Sequence, residues 1–182
     1  MIRDSLLGKL YKYFPVNPQE ITFKQEMLSF IMQYPNCFER SLEIGHITAS
    51  AWVLNKEKTK ALLMHHSKLN KWFQVGGHCD GNPDVLSVAI KEAQEESGIK
   101  NIIPISFEIF DIDIHLIPEN KKEKAHYHYD IRFLLQVVSD EQIIQNRESK
   151  ELRWIGKSFN ELPTDNPSVI RMFTKWISKN DI

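Results

Sequence analysis

Residues 76–99 read GGHCDGNPDVLSVAIKEAQEESGI, and the order of signals in this stretch decides the fold. Gly76-Gly77 closes a short apolar run. Asn82 suits a helix N-cap, Pro83 the first helical position, and Asp84 the positive end of the helix dipole. Together they predict a helix over residues 83–97. Gly98 is placed to end it in a left-handed conformation. At about 100° per residue, Leu86, Ala89, Ile90 and Ala93 share one face. Lys91 and Gln94 point away, and Glu92, Glu95 and Glu96 gather along a flank. Three carboxylates in one strip repel one another unless cations or water relieve them. Such a set of hard oxygen donors suits Mg²⁺ or Mn²⁺.

Working outward, the segments on both sides read as β-strands. ITASAWVL (47–54) and KALLMHH (60–66) are neighbours across the turn at 55–58, and residues 72–75 form a third, short strand. Beyond the helix, residues 102–117 are β-rich, with Ile109, Asp111, Asp113 and His115 on one face. Residues 127–138 make a long strand, 151–155 a last short one, and 167–178 a closing helix. At the other end, residues 2–13 and 19–33 carry helical apolar spacing interrupted by Pro15, Pro18 and Pro35. The mixture of hairpins and helices predicts an α+β or mixed α/β fold. Residues 1–40 are expected to be a helical extension, packed on the main unit or used in a homodimer, and residues 41–182 the main domain.

Composition narrows the function classes. The 182 residues carry 23 Lys+Arg and 24 Asp+Glu, for a net charge of -1. That balance supplies no basic field for a nucleic-acid backbone. Two cysteines, Cys37 and Cys79, are too few for a disulfide scaffold. No apolar run approaches the length of a membrane span, and the first residues lack a signal-peptide core. The sequence therefore predicts a reduced, cytoplasmic protein with neither a membrane nor a nucleic-acid partner.

The glycine–glutamate segment resembles the Nudix hydrolase signature, G-x5-E-x7-R-E-U-x-E-E-x-G-U, with U a bulky aliphatic residue. Gly77, Glu92, Glu95, Glu96, Gly98 and Ile99 match in register. Pro83, Lys91 and Ala93 depart from it, standing where the family has glutamate, arginine and an aliphatic residue. The strands before and after the helix extend the resemblance over roughly residues 45–160. It implies an α/β/α sandwich around a mixed sheet, with hydrolysis of the pyrophosphate bond in a nucleoside diphosphate linked to another moiety, a nucleoside diphosphate sugar being favoured. It implies Glu92, Glu95, Glu96 and the Gly76 carbonyl as ligands to Mg²⁺ or Mn²⁺. Glu95, Glu96 or a later loop acid, Glu148, would take the proton of the attacking water. The rival reading is a Nudix fold that binds a nucleotide without cleaving it.

A second group of residues is assigned to the nucleotide-derived substrate. His126, His128, Asp130 and Arg132 alternate with apolar residues along one strand, so they share a face. Arg132 is expected to grip a phosphate, with the histidines and His78 nearby. Zinc is a lesser alternative, raised by His65, His66, His78, Cys79, His126 and His128. No pair among them has zinc-finger spacing, and the strongest cluster is all oxygen. Lys121, Lys122 and Lys124 are expected at a solvated hairpin tip.

Overall fold

The computed structural model describes residues 3–120, 123–146 and 149–179. Two helices come first, α1 (Asp4–Lys12) and α2 (Pro18–Gln33). Asn17 caps α2, accepting from the Glu20 amide at 3.0 Å, and Pro18 opens it. The strands β1 (Gly45–Leu54), β2 (Ala61–His66), β3 (Lys71–Phe73) and β4 (Val75–His78) follow. Then come α3 (Val85–Ser97), β5 (Ile102–Pro104), β6 (Asp111–Ile117), β7 (His126–Val137), β8 (Ser149–Ile155) and α4 (Pro167–Ile177). The expected third strand is two, β3 and β4, and the Gly-Gly pair lies inside β4 rather than after a strand. Lys121 and Lys122 fall outside the described residues, while Lys124 pairs with Glu43 at 2.9 Å.

One mixed sheet of eight strands organises the chain. Its main path runs β3-β2-β1-β7-β5, with β4 also on β1, β6 on β7 and β8 on β2. The β1–β7 pair is parallel over ten residues, from Gly45↔Tyr127 to Leu54↔Gln136, and the other pairs are antiparallel. β1 is buried along its whole length, and apart from His46 it is made of apolar and small residues. On one face, Ile47, Ala49, Ile131 and Phe133 join Val88, Ala89 and Ala93 of α3 and Leu6, Leu10, Met27, Phe30 and Ile31 of α1 and α2. On the other, Trp52, Leu54, Leu63 and Leu134 meet Val169, Met172, Phe173 and Trp176 of α4. The N-terminal helices thus pack into the core of the sheet domain. Among the described residues, no helix is long and apolar enough to cross a membrane.

A buried charge network ties the helices to the sheet. Asp111 is fully buried and accepts from Arg132 at 3.0 Å, Arg171 at 2.9 and 3.0 Å, and Lys175 at 2.6 Å. Asp113 takes Arg171 at 2.8 Å, and Asp130 takes Arg132 at 2.7 Å, Ser50 at 2.7 Å and Thr48 at 3.0 Å. From α2, buried Glu20 receives Lys175 at 2.9 Å and the Tyr13 hydroxyl at 2.6 Å. Burial alone raises the Asp111 and Asp113 pKa values. The facing guanidinium and ammonium groups outweigh it and hold both carboxyls below the usual range.

Such carboxyls stabilise the fold above the ordinary carboxylate pKa of about 4, and the contribution is lost as pH falls towards the folded-state values. Asp111→Asn leaves three cations facing one another beside Glu20, Asp113 and Asp130. It is expected to cost about 3–5 kcal/mol at neutral pH in denaturant unfolding. The gap between variant and wild type should narrow below about pH 4. A gap of equal size at pH 7 and pH 3 would show that the carboxylate charge is not what holds the network.

Candidate active site

The site begins where β4 meets α3. The helix starts at Val85, two residues later than the sequence suggested, and its cap is Asp84, whose side chain accepts from the Ser87 amide at 3.2 Å. Asn82 instead accepts from the Asp84 amide at 3.0 Å, holding the turn that leads in. Asn-Pro opens α2 and α4 directly, at Asn17-Pro18 and Asn166-Pro167, whereas here the Asn82 side chain turns to the Asp84 amide and the cap passes to Asp84. At the far end Gly98 adopts φ 74°, as a left-handed cap requires.

Burial of Leu86, Ala89 and Ala93 turns the glutamate flank of α3 towards β4. Glu96 is itself buried, and its Oε2 accepts the Gly76 amide at 2.8 Å. Glu92 lies against Gly77, where an added Cβ would sit 2.4 Å from Glu92 Oε2. Glycine at 77 leaves room for the carboxylate beside it. Glu95 projects furthest into solvent, with 58% of its side chain exposed against 18% for Glu92.

Lys91 does not point away. Its Nζ lies 3.2 Å from Glu92 and 3.1 Å from Glu95, because a four-carbon stem lets the ammonium swing to its i+4 neighbour. Hydrogen bonds to Glu95 and then Glu92 raise its pKa. The strip thus already gathers one cation. Its donors are all carboxylate oxygens, so its chemistry fits a hard divalent ion.

The second group of expected residues separates. Arg132 cannot serve as a phosphate grip. It is fully buried, and its donors are taken by Asp111, Asp113, Asp130 and Ser168. Asp130 is buried with Thr48, Ser50 and Gln74 around it, so it too is withdrawn from substrate. Both corrections have one cause: β7 is an interior strand, and its polar side chains here are occupied by groups from distant segments, Thr48, Ser50 and Gln74 for Asp130 and Asp111, Asp113 and Ser168 for Arg132. His126 is buried, and His78 and His128 are half-buried. By strand alternation His78 emerges on the face opposite Gly77, away from Glu92. There it stands 5.0 Å, ring to ring, from His46. Glu148 lies outside the described residues. The sequence reading missed His46, for which the signal was its place in the same alternation as Thr48 and Ser50.

The zinc set raised from sequence also divides. His65 stacks on Trp72, the His66 ring accepts two backbone amides, and Cys79 is buried in the core with its thiol pKa pushed up by burial. A surface depression of about 360 Å³ lies away from the glutamates, bordered by Tyr13, Phe14, Phe110 and Lys179.

Comparison with known proteins agrees with this arrangement. The chain matches the NUDIX domain family over residues 45–177. It is 30% identical over 121 residues to a probable DHNTP pyrophosphohydrolase of Lactococcus lactis subsp. cremoris strain MG1363, covering 65% of this chain and 68% of that protein. Among solved structures it is similar to a NUDIX-family hydrolase from Clostridium perfringens, at 26% identity and a TM-score of 0.52, over 72% of this chain and 95% of that one. It is similar in fold to a C. elegans Ap4A hydrolase in a binary complex, at 16% identity and a TM-score of 0.57, over 71% and 93%. With a strand's glycine pair seated on a glutamate-bearing helix, and the family match spanning β1 to α4, the chain belongs to the Nudix family of pyrophosphohydrolases.

Proposed function

We propose that this chain hydrolyses a diphosphate linkage in a nucleotide-like substrate, with Glu92, Glu95, Glu96 and the Gly76 carbonyl holding Mg²⁺ or Mn²⁺. The observation that carries the reading is the seat of Glu96 on the Gly76 amide, 2.8 Å long. It locks the helix carboxylates to the strand and makes the oxygen strip preorganised. The bound cation would neutralise the diphosphate and polarise its phosphorus centres. Glu96 spends one oxygen on Gly76 and positions the strip. Glu95, the most exposed of the three, takes the proton as water adds to phosphorus and the bridging P–O bond breaks, with Glu148 as the alternative base. Lys91 yields its place among the carboxylates when the divalent cation binds.

The Lactococcus relative makes an organic triphosphate of the DHNTP kind the first substrate to try. Nucleoside diphosphate sugars remain the sequence-based alternative. Pyrophosphate released from the triphosphate, and nucleoside monophosphate with sugar phosphate released from the nucleoside diphosphate sugar, each followed before and after chelation, test the reading. Turnover should vanish on chelation and return with Mg²⁺. Undiminished turnover without metal would overturn it.

Two variants probe the strip itself. Glu96→Gln keeps its shape and removes its charge, and kcat should fall on the order of 10³-fold with little change in melting temperature. Wild-type kcat together with a lower melting temperature would make the strip a structural face. In Gly77→Ala, the new Cβ pushes only the flexible end of Glu92. The fold should survive while kcat drops by about 10-fold or more. Unaltered kcat in a folded Gly77→Ala protein would release Glu92 from any role.

A further inference from the structure

On the face of the sheet opposite the glutamates, four strands bring histidines together. His46 of β1 and His128 of β7 are register partners in the parallel pair, and His115 of β6 pairs with His128 from the other side. His78 enters from β4 one pair along, opposite Thr48. The rings of His46 and His128 lie 4.8 Å apart, those of His78 and His128 5.1 Å, and those of His46 and His126 5.0 Å.

His46 shows that the group is more than ring packing. It is 2% exposed, and neither of its ring nitrogens has a hydrogen-bond partner among the described residues. Burying two polar nitrogens without partners is costly and calls for a ligand. One nitrogen each from His46, His78 and His128 lie within 4.8 Å of one another. His126 Nδ1 lies 2.8 Å from the Lys124 carbonyl, to which it can only donate. That fixes the lone pair on Nε2, which stands 3.3 Å from His128 Nε2. A carbonyl that orients a ring in this way is the usual support of a metal-bound imidazole. Two nitrogens on one tetrahedral zinc are about 3.4 Å apart.

We propose that His46, His78 and His128, with His126 closing the set, form a nitrogen-donor site for a divalent transition metal of the zinc class, separate from the glutamate strip. The charge state of the rings agrees with the ligand type. Burial, then the neighbouring imidazoles, lowers the pKa of His46 to about 4 and of His128 to about 2, and burial lowers that of His78. Neutral rings present lone pairs to a metal rather than positive charge to a phosphate. Their donor type also sorts the two sites, since imidazole suits zinc whereas carboxylate suits magnesium. A bound ion would cross-link β4, β1 and β7 on the face that α3 does not cover.

The test uses the full chain, stripped with chelator and dialysed into millimolar Mg²⁺ so that the glutamates are supplied with their own ion. Calorimetric titration with Zn²⁺ should show one equivalent bound, and Zn²⁺ should raise the melting temperature above its value in Mg²⁺ alone. Cobalt in place of zinc should give the visible bands of a tetrahedral nitrogen site. His78→Asn changes a half-buried residue at a strand end, so its fold, checked by its melt in Mg²⁺, is expected to persist. It and His128→Asn should weaken Zn²⁺ binding at least about 100-fold, while the Glu92→Gln, Glu96→Gln double variant leaves it unchanged. Absence of saturable Zn²⁺ binding in Mg²⁺ would overturn the proposal. So would binding that survives both histidine variants and disappears with the glutamates. Because these readouts need no turnover, they stand or fall separately from the hydrolytic reading.

Discussion

Asp111 is the carboxylate on which the assembly turns. A fully buried carboxylate is unfavourable unless cations compensate it, and here those cations come from elements far apart in sequence. Arg132 belongs to β7, and Arg171 and Lys175 to α4. Lys175 then reaches Glu20 of α2, so α2 and α4 meet through one ammonium group. None of these charges can be left alone without the desolvation cost of its partner. The network therefore fixes α2 and α4 against β6 and β7 more specifically than apolar contact does, since apolar surfaces tolerate sliding.

The same sheet keeps two kinds of donor apart. Strand alternation sends Gly77 towards α3 and its neighbour His78 to the other side. The α3 side is lined by oxygen from Glu92 and Glu96, and the other by imidazole nitrogen. Between the histidines and the Asp111 network, Thr48 and Ser50 of β1 donate to Asp130. The polar face of β7 thus grades from imidazole at His126 and His128 to carboxylate and guanidinium at Asp130 and Arg132. Past Arg132 it becomes apolar at Leu134, under α4. A single strand passes through three chemical environments because its partners change along its length.

What the sequence disclosed follows from this geometry. The α3 segment was legible because its signals are local: a Gly stop, a 3.6-residue apolar period and the glutamates beside it, although the N-cap fell on Asp84 and not Asn82. The strands were legible from alternation, and β7 was correctly divided into a polar and an apolar face. What alternation does not reveal is what covers a polar face. Arg132 read as a phosphate grip because Asp111, Arg171 and Ser168 lie 21 to 39 positions away along the chain. His46 was passed over for the same reason: its neighbours His78 and His128 arrive only through the pairing of β4 and β7 with β1. Lys91 was misplaced for a different reason, since a wheel fixes the Cβ direction but not the end of a long side chain.

Register joins these observations. In the parallel pair, His46 stands opposite His128, Thr48 opposite Asp130 and Ser50 opposite Arg132. A slip of one residue would set all three against Tyr127, Tyr129 and Ile131, turning the polar face of β7 into the apolar core and the apolar face onto the charges. A slip of two would keep the faces but place His46 opposite Asp130 and Thr48 opposite Arg132. Asp130 would lose the hydroxyls that share its charge, and His46 would lose its imidazole partner. Only the observed register satisfies the carboxylates and also assembles the histidines. The buried charges of β6, β7 and α4, which add stability, therefore also select the alignment in which a nitrogen site can exist.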